Sequence, residues 1–312
     1  MKRVAFMFPG QGSQKVGMGQ DIYDNYPSIE KLYNHANDIL DKDLQKMMFE
    51  GPKETLTETE NAQPALLLSS IALHTLLIEK EVQPVMTVGH SLGEYSALVA
   101  AGALSLDEAL PLVNLRGKLM EKAYPKGQGT MSAVLGLSVE EIQEVLESIT
   151  DETVDLANLN CPGQIVISGS MNGIEKASKK LKEIGAKRIL PLNVSGPFHS
   201  RLMKPANNEF ANYLNEINIK DASIPVYANV TATPVTDKDK IKDSLIKQLY
   251  SPVRFEESIK NMLQNDLDAI VEVGTGKVLC GLVRKIDRKV KTFAIQDVKS
   301  LDEFITWYKE EV

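Results

Sequence analysis

The chain has 312 residues, a length that commonly divides into about two domains. Acidic side chains outnumber basic ones, 42 Asp and Glu against 35 Lys and Arg, which argues against a general nucleic-acid-binding surface. The two cysteines, Cys161 and Cys280, lie far apart and show no paired Cys or His spacing. We therefore expect no metal site and no disulfide framework, as is typical of a reducing compartment.

Neither of the two prominent apolar stretches predicts a membrane segment. Residues 4–8 are followed at once by Pro9 and Gly10, so this run is too short for a signal peptide and predicts a first β-strand. Residues 65–78 are interrupted by serine, histidine and threonine side chains, which predicts a core helix of a folded domain. We expect a cytoplasmic protein without a membrane partner.

Short apolar runs alternate with helical patterns in the first third of the chain, which predicts a parallel sheet covered by helices on both faces. Ser105 and Glu108 have the spacing of a capping box, so a long helix is expected to begin there. The alternation resumes after residue 197. The predicted strands of this larger part are residues 4–8, 85–88, 226–228, 269–273 and 291–295.

Residues 126–197 interrupt this alternation and predict a small inserted domain, which leaves residues 1–125 and 198–312 as the larger one. The insert has the order strand, helix, strand, strand, helix, strand, which is typical of a ferredoxin-like fold. Ser138 and Glu141 supply a second capping box. The predicted strands are residues 131–135, 154–159, 164–168 and 187–192, and the predicted helices are residues 138–148 and 172–184.

Residues 89–93, GHSLG, directly follow the predicted strand 85–88 and precede a helical pattern. Strand, sharp turn and helix form the context of a nucleophile elbow, where flanking glycines make room for a strained serine backbone. In that geometry the N–H of Leu92 faces a developing oxyanion. The alternative is a tight turn that merely contains a small residue, and the context favours Ser91 as a nucleophile.

A serine nucleophile needs a base, and the chain has four histidines. His35 lies on a polar helix face and His74 within an apolar helical run, which are positions typical of structural residues. His90 adjoins Ser91, but neighbouring side chains on an elbow point apart. His199 follows a proline-containing loop where the chain leaves the predicted insert, which suits a base on the rim of a site. A surface histidine that caps a helix remains the alternative.

The glycine-rich segment 6–20 departs from both common phosphate-binding loops. Lys15 stands where a dinucleotide fingerprint needs its third glycine, and Met18 stands where a P-loop needs lysine. Binding of nucleotide phosphates is therefore not expected. This loop can instead present a backbone N–H beside the elbow as a second oxyanion donor.

Six motifs in this order give the chain a resemblance to the malonyl-CoA:acyl carrier protein transacylases over nearly its whole length. The resemblance implies an α/β-hydrolase-like large domain with a ferredoxin-like insert. It implies transfer of malonyl groups from malonyl-CoA to acyl carrier protein for fatty acid synthesis, with coenzyme A as part of the substrate and no cofactor. The motifs are FPGQGSQ (8–14), NAQPAL (61–66), GHSLGEYSAL (89–98), the arginine of LVNLRGKLM (112–120), GPFHS (196–200) and QLYSPVRF (248–255).

The resemblance also implies a role for individual residues. Ser91 is the implied nucleophile and His199 the implied base, which a backbone carbonyl of Gln248 orients in place of a carboxylate. Arg116 is implied to bind the malonyl carboxylate, because a planar guanidinium matches it with two parallel hydrogen bonds. The remaining implied residues are Gln11 and Leu92, whose amides form the oxyanion hole, and Gln63, which lines the acyl pocket.

Other interpretations of these residues remain open. A serine thioesterase or hydrolase acting on acyl-CoA shares the elbow, although no acid stands out between serine and histidine. A patatin-like hydrolase needs an Asp-Gly pair, which the sequence lacks. A catalytically inactive scaffold for carrier proteins would not need Ser91, His199 and Arg116, so the presence of all three counts against that function. Arg116 has a structural ion pair as its alternative. The segment 281–291 carries five basic residues between positions 284 and 291, and these form either a docking patch for an acidic carrier or a solvated helix face.

Overall fold

The computed structural model describes residues 2–310, which form an α/β fold with two β-sheets. Residues 1, 311 and 312 of the predicted large domain lie outside the described residues. The strands are β1 Val4–Phe8, β2 Met86–Gly89, β3 Gly129–Leu135, β4 Val154–Cys161, β5 Gln164–Ser170, β6 Arg188–Pro191, β7 Val226–Tyr227, β8 Pro234–Val235, β9 Ala269–Val273 and β10 Thr292–Ile295.

Helices connect these strands, and both predicted capping boxes are confirmed. The hydroxyls of Ser105 and Ser138 each accept from the N–H three residues later, at 3.2 Å. Within residues 2–310 the α-helices are α1 Gln20–Asn25, α2 Pro27–Leu40, α3 Leu44–Glu50, α4 Lys53–Thr57, α5 Thr59–Glu79, α6 Gly93–Ala100, α7 Leu106–Lys122, α8 Val139–Glu147, α9 Met171–Glu183, α10 Asn207–Glu216, α11 Lys238–Gln248, α12 Phe255–Met262, α13 Val278–Ile286 and α14 Val298–Lys309, with a 3₁₀ helix at Arg201–Ala206.

The larger sheet has the strand order β10-β9-β1-β2-β7-β8. Its first five strands are parallel, as predicted, while β8 is an antiparallel edge strand of two residues, too short to leave a periodic pattern. Phe8 lies opposite Gly89, and Val88 lies opposite Tyr227. Because parallel strands end at a common edge, the residues after Phe8, Gly89 and Tyr227 meet in one place.

Helix α5 is a core helix, as residues 65–78 predicted. It is long and apolar enough to cross a membrane, but 83% of its apolar window is buried inside the protein. The helix begins earlier than the apolar run and passes through Pro64, which has no N–H for the carbonyl of Glu60. That carbonyl accepts from the Asn114 side chain of α7 at 2.8 Å, so the helix continues without an unpaired group.

The smaller sheet, β4-β5-β3-β6, is antiparallel, and the six elements between residues 129 and 191 follow the predicted order. Its own apolar cluster includes Ile142, Ile167 and Leu181. Val253 joins it to the rest of the chain, because its carbonyl accepts from Leu159 and its N–H donates to Ala157, both at 2.8 Å. The segment that follows α11 therefore runs along β4.

Candidate active site

Ser91 lies in a sharp turn between β2 and α6, with a left-handed backbone at φ 52°. The flanking glycines are required by close backbone approaches. A Cβ on Gly89 would lie 1.8 Å from the carbonyl carbon of Gly93, and a Cβ on Gly93 would lie 2.0 Å from the carbonyl oxygen of Phe8. The turn therefore has the geometry of a nucleophile elbow, which lifts the serine hydroxyl above the sheet edge.

Asn229 clamps this turn from the neighbouring strand end. Its side-chain oxygen accepts from the N–H of Ser91 at 2.8 Å, and its side-chain nitrogen donates to the carbonyl of Gly89 at 2.6 Å. Asn229 was not among the predicted site residues, although its position just after β7 was a usable signal, because β7 pairs in parallel with β2. The Ser91 N–H is thereby occupied and is not an oxyanion donor.

His199 lies beside the serine, with its Nε2 2.8 Å from the Ser91 Oγ. Its Nδ1 lies 2.9 Å from the backbone carbonyl of Gln248, which accepts a hydrogen bond from the Nδ1–H and so leaves Nε2 as the acceptor for the serine hydroxyl. Burial lowers the pKa of His199 to about 3, with a further contribution from the Arg116 cation. The imidazole is therefore neutral at pH 7 and able to accept a proton.

Arg116 reaches the same hydroxyl from α7, although it is 1% exposed. One terminal nitrogen donates to the Gln63 side chain at 2.9 Å, and the other donates to the Gln248 side chain at 2.9 Å and to Ser91 Oγ at 3.1 Å. The guanidinium also lies over the Tyr95 ring, 5.3 Å from its centroid. Among residues 2–310 no carboxylate forms a salt bridge with it, so the alternative of a structural ion pair finds no partner in this part of the chain.

Gln63 and Gln248 therefore both bind Arg116, and Gln63 is completely buried. The cavity at the elbow, about 120 Å³, is lined instead by Ser91 and His199 together with both polar and apolar side chains, such as Asn158 and Met120. The resemblance implied that Gln63 lines the acyl pocket. In this structure its side chain instead accepts a hydrogen bond from the Arg116 guanidinium.

Gln11 lies on the loop after β1 and lines the same cavity as Ser91, while Leu92 follows Ser91 on the elbow. Within residues 2–310 neither backbone amide donates to another protein atom. Gly10 allows the loop to approach the elbow, because a Cβ there would lie 2.4 Å from the carbonyl oxygen of His90. Two free N–H groups beside a nucleophile are suited to binding an oxyanion.

Glu94 is a second residue that sequence analysis missed. It lies in the first turn of α6, is 2% exposed, and accepts from the Gln248 side chain at 2.6 Å and from the Asn229 N–H at 3.1 Å. Burial raises the pKa of Glu94 to about 7, against the lowering effect of these hydrogen bonds and of Arg116. A charged residue inside an otherwise apolar helix was the available signal.

The other candidates lie away from the serine hydroxyl. His90 turns its Nε2 to the Asn160 side chain, 2.8 Å away, and His35 pairs with Asp107 on the surface. His74 is mostly buried, and burial lowers its pKa to about 4. Across residues 2–310 no group of His, Cys, Asp and Glu is arranged to hold a metal ion.

The basic segment 284–291 lies at the end of α13 and beyond it, and its Lys and Arg side chains are exposed. Lys285 donates to the Gln164 side chain at the start of β5, 2.9 Å away. Lys291 lies over the Trp307 ring, 4.6 Å from its centroid. The segment therefore borders the smaller sheet, in a position open to solvent.

The lowered pKa of His199 predicts that Ser91 stays reactive in mild acid. A histidine with its ordinary pKa would be only about 3% neutral at pH 5, whereas a pKa near 3 leaves the base form dominant there. We expect phenylmethanesulfonyl fluoride to label Ser91 at pH 5 at a rate within about threefold of that at pH 7.5. Mass spectrometry measures the rate, with Ser91→Ala as the control, and a fall of thirtyfold would contradict the neutral base.

Comparison with known proteins identifies the family. A family model of the acyl transferase domain matches residues 5–301. A malonyl CoA-acyl carrier protein transacylase of Bacillus subtilis (strain 168) is 51% identical over 313 residues, which covers 100% of this chain and 99% of that protein. Another, from Staphylococcus aureus (strain MRSA252), is 47% identical over 308 residues and covers 97% and 99%.

Solved structures agree with the sequence relatives. An acyl carrier protein S-malonyltransferase from Vibrio cholerae is similar at a TM-score of 0.95 and 44% identity, covering 97% of this chain and 99% of that one. A malonyl-transacylase in complex with its type II PKS acyl-carrier protein has a TM-score of 0.95 and 39% identity with the same coverage. The resemblance inferred from the six motifs is thereby confirmed, and the chain belongs to the acyl transferase family, among the malonyl CoA-acyl carrier protein transacylases.

Proposed function

We propose that the protein transfers the malonyl group of malonyl-CoA to the phosphopantetheine thiol of acyl carrier protein, through a malonyl ester of Ser91, and so supplies fatty acid synthesis. One arrangement carries this proposal: a neutral histidine and a buried guanidinium both contact one serine hydroxyl, at 2.8 and 3.1 Å. The first activates an acyl acceptor, and the second favours acyl groups that carry a carboxylate. The names of the relatives support the same reaction.

The first half of the reaction acylates the enzyme. His199 takes the proton of Ser91 as Oγ attacks the thioester carbonyl, and the carbonyl oxygen becomes an oxyanion held by the N–H groups of Gln11 and Leu92. The C–S bond then breaks, and His199 returns the proton to the departing thiolate, which leaves as coenzyme A. A malonyl-serine ester remains, with its free carboxylate on Arg116.

The second half reverses the roles. The carrier thiol gives its proton to His199 and attacks the ester carbonyl, and the same two amides stabilise the second oxyanion. The C–O bond breaks, Ser91 recovers the proton, and the malonyl group leaves as a thioester of the carrier. The backbone carbonyl of Gln248 keeps His199 in the required tautomer in both halves, since it accepts from Nδ1 at 2.9 Å.

We also infer the finer domain assignment, with an α/β-hydrolase-like large domain of residues 1–125 and 198–312 and a ferredoxin-like insert of residues 126–197. The parallel order β10-β9-β1-β2-β7 supports the first, and the antiparallel order β4-β5-β3-β6 supports the second. The site lies where both contribute, because its cavity is lined by residues 91 and 131 alike. We infer a cytoplasmic enzyme, in keeping with the two free, buried cysteines.

We propose that the exposed basic side chains of segment 284–291 bind the acidic carrier protein. The overall negative charge of this chain would repel an acidic partner, so docking needs a local positive patch. The segment contacts the smaller sheet through Lys285, which donates to Gln164 at the start of β5. Asn160, in the adjacent strand β4 of that sheet, contacts His90 on the elbow. A carrier bound there would lie close to the cavity that its thiol must enter.

Incubation with radiolabelled malonyl-CoA tests the reaction itself. We expect a labelled acyl-enzyme that passes its label to holo acyl carrier protein, and no label on a folded Ser91→Ala variant, which loses only one hydroxyl. Release of free malonate as the main product would favour the alternative function, a thioesterase or hydrolase. Label on Ser91→Ala, or none on the wild type, would contradict the proposed intermediate.

Arg116→Ala tests acyl selectivity. Loss of a buried charge pair costs about 3–5 kcal/mol, or roughly two to three and a half powers of ten in kcat/KM for malonyl-CoA. Acetyl-CoA has no carboxylate, so we expect its transfer to be spared. Arg116→Lys is the matched control and should rescue poorly, because an ammonium lacks the planar fork. A parallel fall for both substrates would assign Arg116 a structural role.

Charge reversal at Arg284 and Lys285 tests the docking patch. We expect KM for acyl carrier protein to rise roughly tenfold at low salt, with KM for malonyl-CoA unchanged, because only the carrier protein contacts the patch. Reversal of Lys238 and Lys240, two exposed lysines of α11, is the matched control. Equal changes in both variants, or in both substrates, would show that the effect is one of net charge.

A further inference from the structure

Gln248 connects two buried groups of opposite charge. Its side-chain oxygen accepts from Arg116 at 2.9 Å, and its side-chain nitrogen donates to Glu94 at 2.6 Å. The guanidinium only donates, so it requires the amide oxygen, and the carboxyl oxygen that faces the amide accepts, so it requires the nitrogen. The two partners therefore specify the same orientation of the amide.

The orientation of this amide also supports the elbow. The Gln248 side-chain nitrogen donates to the backbone carbonyl of Ser91 at 3.0 Å, while the backbone carbonyl of Gln248 accepts a hydrogen bond from the Nδ1–H of His199 at 2.9 Å. If the amide turned over, its nitrogen would face the guanidinium, donor against donor, and its oxygen would face the three oxygen atoms of Ser91, Glu94 and Asn229. The arginine would then lose an acceptor beside the serine.

We propose that Glu94 is a positioning residue for acyl selectivity: its carboxyl holds the Gln248 amide with its oxygen toward Arg116, and so aims the guanidinium at the acyl carboxylate. This inference rests on the proposed malonyl transfer. Glu94 is not among the residues that line the cavity, so the role proposed for it is one of positioning. Its oxygen Oε2 accepts from both Gln248 and the N–H of Asn229, so one atom ties the guanidinium support to the clamp of the elbow.

The position of Glu94 explains why a carboxyl group occurs in an apolar helix. It is 2% exposed, and the residues that follow it in α6 include the buried Tyr95, Ala97 and Leu98. Burying a carboxyl group has a cost unless it is hydrogen-bonded, and here both hydrogen bonds lead to residues that hold Ser91. A merely structural carboxyl group would not need to face this network.

The test compares malonyl and acetyl transfer in single-turnover acylation of Ser91. Glu94→Met removes the acceptor at similar length, and we expect its malonyl-to-acetyl ratio of kcat/KM to fall about 10- to 100-fold, the effect of losing a hydrogen bond to a charged group. Glu94→Gln can place its oxygen at the same point and should keep the ratio within about threefold of wild type.

Glu272→Met is the matched control, since Glu272 is also a buried glutamate but accepts from the N–H groups of Leu279 and Cys280 in another part of the fold. It should lose stability and keep the wild-type ratio. An unchanged ratio in folded Glu94→Met, or an equal loss in Glu272→Met, overturns the proposal. So does a Glu94→Gln variant that is as unselective as Glu94→Met.

Gln248→Met keeps the experiment decisive if Glu94→Met does not fold. Because Glu94 acts through the Gln248 amide, this variant must show the same loss of ratio while its backbone carbonyl still orients His199. A folded Gln248→Met enzyme with wild-type selectivity overturns the proposal. Wild-type malonyl transfer is measured first, and its absence overturns the proposed function. An active wild type whose folded Glu94→Met variant keeps the wild-type malonyl-to-acetyl ratio overturns only the role of Glu94.

Discussion

The left-handed backbone of Ser91 is the constraint on which the rest of the site depends. A non-glycine residue at φ 52° is strained, typically by about 1–2 kcal/mol, and persists only where its surroundings hold it. The surroundings here are backbone approaches so close that Gly89 and Gly93 cannot carry a Cβ, together with the Asn229 side chain that binds both sides of the turn. The hydroxyl is thereby lifted toward His199 with little freedom.

Burial has two effects in this site that reinforce each other. It lowers the pKa of His199, so the base is neutral, and it leaves the Arg116 guanidinium with amide and hydroxyl oxygens as its acceptors. A buried cation without a direct carboxylate partner is poised to bind an anion, because its attraction is little screened there. The Glu94 carboxyl group lies on the far side of Gln248 from Arg116. It offsets part of the positive charge but forms no direct hydrogen bond with the guanidinium.

Features encoded by neighbouring residues could be predicted from the sequence. The capping boxes at Ser105 and Ser138 are interactions across three residues, and the elbow at Ser91 is flanked by its own glycines. The six elements between residues 129 and 191 also follow local periodicity. By contrast, β8 was missed, because two residues carry no period, and α5 begins before its apolar run, because the carbonyl that Pro64 leaves free is satisfied by Asn114.

Sequence patterns were enough to predict the α/β alternation and the turn that displays Ser91, and six ordered motifs were enough to predict the family. Which side chains meet around Ser91 depends on the folded arrangement of the chain. Gln63 binds Arg116 instead of lining the cavity, and Asn229 and Glu94 belong to the site although neither was predicted as a site residue. The physical reason is that parallel strands bring their carboxyl ends to one edge, so partners far apart in the chain become neighbours by sheet register, which no local pattern encodes.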